Sequence, residues 1–132
     1  MNTMLRCASS ALLGALAIML APAAQAQLAR PFPSNALRGE LVVTQPPEVL
    51  LNGQPARLSP GSRIRAQNNM LQLSGGLVGQ KLVVNYTLDP LGLVHNVWIL
   101  TDDEKARQPW PTTAEQAQQW RFDAGAQTWT KP

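Results

Sequence analysis

Cysteine is nearly missing from this chain: its 132 residues include one, Cys7, and a single histidine, His95. Cys7 falls in a segment that reads as removable. Past it there is neither a disulfide nor a thiol nucleophile, so stability must come from one apolar core. No compact set of Cys, His and carboxylates offers a zinc site. Ser59, Ser62 and Ser74 lie in turn-rich stretches without the G-x-S-x-G elbow of a hydrolase. Gly75-Gly76-x-x-Gly79 lacks the lysine and Ser/Thr of a phosphate loop, and Asp102, Asp103 and Glu104 lack calcium-loop spacing. The sequence therefore predicts no catalytic set, no metal and no cofactor. Charge is sparse too, at 14% of residues.

What is present begins with an export pattern. Arg6 and the initiating amine give a positive start, Ala8–Ala21 is mostly apolar, and Ala24-Gln25-Ala26 supplies small residues where processing occurs. Residues 1–26 are thus expected to be a cleavable signal peptide, with a periplasmic mature chain from Gln27. That chain loses one of the 11 Lys/Arg (Arg6) and none of the 8 acids, which leaves 10 against 8 and a net charge of +2. So small an excess does not point to nucleic acid. No later apolar run is long enough to span a membrane.

Residues 27–38 carry Pro31 and Pro33 around Phe32 and read as an N-terminal arm, with Phe32 available to dock. Residues 39–132 read as a single small β-rich domain. Leu41, Val42 and Val43 make a short strand that Pro46-Pro47 ends. Glu48–Leu58 reads as a hairpin on Asn52-Gly53, a type I′ signal, and Ser59-Pro60-Gly61-Ser62 as a further turn. Ile64 points inward between Arg63 and Arg65, and Leu71 and Leu73 share a face after an Asn68-Asn69 turn. The centre is Gln80–Thr101, two strands joined by Asp89-Pro90-Leu91-Gly92. In the expected register Tyr86 faces His95, Val84 faces Val97, and Val83 faces Trp98.

Thr101-x-x-Glu104 has the capping-box spacing and predicts a short helix limited by Pro109. A second helix is expected over Ala114–Gln119, followed by arms around Asp123–Ala126 on which Trp120, Phe122 and Trp129 meet. Many short strands with no room for helical crossovers predict a mainly β fold. The expected form is a small barrel or rolled antiparallel sheet, OB-like or SH3-like, with short C-terminal helical segments and a Trp-rich cap.

LNGQPARLSPGSRIR, the Leu73–Tyr86 region, LGLVHNVWIL and the terminal WRFDAGAQTW together resemble an uncharacterised group of small exported proteins from proteobacteria. The resemblance spans most of 39–132, implies a periplasmic domain, and carries no catalytic residues with it. The short-stranded pattern also resembles periplasmic small-barrel domains at the level of fold, which supplies no function.

Two functional readings follow. The first is a non-catalytic binding or accessory module that contacts an envelope protein or an acidic glycan. Its candidate residues are Arg57, Arg63 and Arg65, with Arg57 and Arg63 brought together by the Pro60-Gly61 turn, and Trp110, Trp120 and Trp129 as stacking groups. The alternative is a small periplasmic hydrolase using His95 with a carboxylate.

Overall fold

The computed structural model describes residues 29–132; the expected signal segment, 1–26, lies outside the described residues. Eight strands and two short helices follow: β1 Leu37–Gln45, β2 Glu48–Leu51, β3 Gln54–Arg65, β4 Leu71–Gln72, β5 Lys81–Leu88, β6 Val94–Ile99, α1 Asp102–Lys105, α2 Ala114–Gln119, β7 Arg121–Asp123 and β8 Thr128–Thr130. A 3-10 turn, Ser74–Leu77, links β4 to β5.

The first six strands form one sheet in the order β2-β1-β5-β6-β3-β4, and an added β2–β3 pairing closes five of them into a barrel. All neighbours are antiparallel except β3 and β6, which run parallel. Of the two barrel types expected, this five-stranded Greek-key closure is the OB type. Local chemistry places the corners. Pro46-Pro47 forms the two-residue turn between β1 and β2, where Gln45 pairs with Glu48. Asn52 and Gly53 both take positive φ, 53° and 78°, as a type I′ turn requires. At the β5–β6 connection, Asp89 Oδ1 accepts from the amides of Leu91 and Leu93, while Gly92 supplies φ of 80°.

The barrel interior is aliphatic, with Leu41, Val43, Val49, Val84, Val94 and Val97 all at 2% exposure or less. Tyr86 is the interior aromatic, and burial raises its phenol pKa. Its ring passes close to Gly39, where an added Cβ would lie 3.0 Å from Cε1.

A second core lies outside the barrel. Phe32, Ala36, Leu100, Trp110 and Trp129 are buried there, with Val83, Trp98, Trp120 and Phe122 packed around them. Phe32 meets Trp98 and Trp110 edge-on at 5.6 and 5.7 Å. Phe122 pairs with Trp129 across β7–β8, their rings 4.8 Å apart. The arm is therefore part of the body: Gln127, itself buried, accepts from the Phe32 amide through Oε1 at 2.8 Å.

Two arginines of the N-terminal region hold α1. Arg30 makes a bidentate pair with Glu104 and donates to the carbonyls of Ala66 and Ile99. Burial would raise the Glu104 pKa, but hydrogen bonds from Arg30 and Thr101, with the Arg30 charge, outweigh it and hold the carboxyl below its ordinary value. The expected capping box is present, Thr101 and Glu104 each accepting from the other's amide. Arg38 closes the opposite end, donating to the carbonyls of Glu104 and Arg107 at 3.0 and 2.7 Å. Burial lowers its pKa to about 10, which leaves it cationic at neutral pH.

Two expectations are corrected. First, the β5–β6 register is offset by two residues: Tyr86 opposes Val97, Val84 opposes Ile99, and Asn85 opposes Trp98. An even offset keeps Val97 and Ile99 on one face and Trp98 on the other, as expected, but Val94 changes face and His95 leaves the ladder. It sits where Thr87↔Asn96 passes to Leu88↔Val94, a bulge that turns both Val94 and Val97 inward. Second, Ser59-Pro60-Gly61-Ser62 does not reverse the chain; β3 runs through it. Leu71 and Leu73 are 62% and 85% exposed, outside the core, since β4 is a two-residue edge strand. Trp98 is half-buried on the outer face of β6, against the second core.

Candidate functional site

The middle of β3 is where the barrel wall opens. Gln54–Arg57 pair with β2, and Ile64 and Arg65 pair with β4. Against β6, Leu58 meets Val94 and the next partner pair is Arg63 and Asn96. Among the described residues, the four residues Ser59–Ser62 thus have no ladder partner on either side. Pro60 explains part of this, since it has no amide hydrogen to give a ladder. The two strands also consume different lengths, five steps of β3 against two of β6. The extra residues bulge outward, with Pro60 and Gly61 exposed.

His95 fills the gap behind them. Its Nδ1 lies 2.8 Å from Ser59 Oγ, and a Cβ added at Gly61 would lie 3.6 Å from its Cε1. In front is a cleft of about 540 Å³, lined by Pro47 of the β1–β2 turn, Arg57, Ser59 and Ser62 of β3, Ser74, and Leu93 of the β5–β6 connection. Two strongly exposed leucines adjoin it in the chain, Leu73 next to Ser74 at 85% and Leu91 two residues before Leu93 at 83%. Within an OB-type barrel, this strand face and these connections are where ligands commonly sit.

The three candidate arginines share β3 but do not converge. Arg57 precedes the open stretch, and Arg63 and Arg65 follow it. Arg57 approaches Glu48 at 3.6 Å with both side chains more than half exposed, a pairing worth no more than about 1 kcal/mol. Arg63 is exposed and has no ion pair among the described residues. Arg65 donates weakly to the Asn69 carbonyl at 3.4 Å.

The tryptophans sit elsewhere. Trp110 and Trp129 are each 5% exposed inside the second core, and Trp110 Nε1 donates to the Ala36 carbonyl. Trp120 is half-buried, with Lys131 over its ring at 5.3 Å. None of the three lines the cleft, so it offers no aromatic face for a sugar or base. His95 pairs with a serine hydroxyl; among the described residues no carboxylate is hydrogen-bonded to it, and no group of three or more His, Cys, Asp or Glu could hold a metal. Likewise no helix among them is long and apolar enough to cross a membrane.

The Ser59–His95 pair and the open stretch were hidden in the sequence, because both depend on the parallel β3–β6 pairing. Pro60-Gly61 was the visible signal, and it fits a bulge as well as a turn.

Comparison with protein-family models, with curated proteins and with solved structures finds no match.

Proposed function

We propose that the chain is a non-catalytic binding module of the cell envelope that contacts an acidic polypeptide along β3. The observation that carries this reading is a cleft lined by Arg57 with hydroxyls, prolines and leucine, with Arg63 and Arg65 further along the same strand. The export pattern at the N-terminus supports the compartment. A stacking surface would favour a glycan or a nucleic acid, and the cleft has none. Attraction through exposed arginines is screened by salt. Poly-L-glutamate is a suitable probe: affinity should fall steeply between about 0.05 and about 0.5 M salt. The triple variant Arg57→Gln, Arg63→Gln, Arg65→Gln should bind at least about tenfold more weakly. Equal binding by the triple variant, with its fold intact, would remove the arginine row from the account.

The 2.8 Å contact between Ser59 Oγ and His95 Nδ1 favours a second reading, a serine hydrolase in which His95 is the general base. Turnover of an activated ester that disappears in both Ser59→Ala and His95→Ala, with folding unchanged, would put that reading in place of the first.

A further inference from the structure

We infer that Ser59–Ser62 is a docking edge on which an extended segment of the acidic partner polypeptide adds its backbone as a strand. This rests on the binding reading above and specifies how the partner is held. Four consecutive residues of β3 have no ladder partner among the described residues, although ladder positions on both sides of them are filled. Such a vacancy is the usual target of strand addition, in which main-chain hydrogen bonds supply affinity and side-chain contacts supply selection. Pro60 contributes no donor, which leaves the Gly61 and Ser62 amides after it. Successive amides of a strand point to opposite edges, so one of the two serves a partner, and the absence of a side chain at Gly61 lets a second backbone approach.

The surroundings suit a polypeptide. Pro47 and Leu93 line the cleft with apolar surface, and Ser59, Ser62 and Ser74 add hydroxyls. Arginines stand before and after the vacancy on the same strand. Because successive side chains of an extended segment alternate in direction, one set can meet the apolar lining while the other carries carboxylates to Arg57 and Arg63. His95 of β6 is hydrogen-bonded to Ser59 at the start of the vacancy, Nδ1 to Oγ at 2.8 Å.

The test uses the folded chain from Gln27, isotope-labelled, and three probes of matched charge: an alternating Glu-Leu peptide, the same peptide N-methylated on alternate backbone amides, and oligogalacturonate. The unmodified peptide should bind at least about tenfold more tightly than either of the others. It should also slow amide exchange at one of Gly61 and Ser62, the one whose amide faces the added strand. N-methylated peptide or oligogalacturonate binding equally well, lost in the triple arginine variant, would overturn strand addition while leaving the arginine surface in place. If no acidic probe binds the wild type, both the docking edge and the binding reading fall. Gly61→Ala, whose new Cβ would make only an ordinary 3.6 Å contact with His95, serves as a folded control. It should weaken the unmodified peptide more than poly-L-glutamate, and equal effects on the two would count against close backbone approach.

Discussion

Among the described residues, Arg30 and Glu104 are the one ion pair buried on both sides. Both side chains are more than nine-tenths buried, and Arg30 ties the arm to β6, to α1 and to the connection after β3. Removing one partner strands the other charge in a dry site, so Glu104→Gln should cost about 3–5 kcal/mol in urea denaturation. A cost below about 1 kcal/mol would show that water reaches the pair. The pH dependence has a definite sign. The folded-state pKa of Glu104 lies below its ordinary 4.5, so its stabilisation is complete above that value and fades as pH falls through the lowered one. The acid side of the stability profile should therefore be shallower in Glu104→Gln than in the wild type. Equal slopes below pH 4.5 would assign the acid sensitivity to other carboxylates.

At the scale of elements, the turns and helix starts were legible in the sequence, and the long-range pairings were not. Asn52-Gly53, Asp89–Gly92 and the Thr101–Glu104 box each act over four residues or fewer, so residue type alone determines them. The helix over Ala114–Gln119 is of this kind too. By contrast, the Arg30–Glu104 bond joins residues 74 apart, and the vacancy at Ser59–Ser62 exists only because β6 runs beside β3. The hairpin faces were readable from their alternation, whereas the two-residue offset and the His95 bulge were set by β3 on the far side of β6. Two substitutions probe these elements. Gly39→Ala should push the Tyr86 ring away from β1 and cost about 1–3 kcal/mol by overpacking; no loss would mean that β1 and β5 separate easily at that point. Trp110→Ala should cost about 3–5 kcal/mol, more than the same change at half-buried Trp98. The reverse order would misplace the centre of the second core.

On the scale of the molecule, an OB-type barrel is wrapped on one side by its own two ends. Among the described residues, the arm and the C-terminal hairpin bury the outer faces of β5 and β6 through Phe32, Trp110 and Trp129, and none of them covers the β3 side. The aromatic residues thereby serve packing, and the surface open to partners is hydroxylic, basic and edged by leucine. That division depends on the arm. Phe32→Ala should loosen the cap, seen as faster amide exchange in β7 and β8, while the barrel strands stay protected. Simultaneous loss of protection in β1 and β5 would show the two cores to be one cooperative unit.

Amide hydrogen exchange of the isolated protein, residue by residue along β3, tests the vacancy on which the binding account depends. Leu58 donates to the Pro47 carbonyl at 2.9 Å and Leu100 to the Val83 carbonyl at 3.0 Å, so both amides should exchange slowly. Gly61 and Ser62 should exchange at rates close to those of an unstructured chain. Protection at Gly61 and Ser62 equal to that at Leu58 and Leu100 would mean that β3 and β6 form an unbroken ladder, with no edge left for a partner to join.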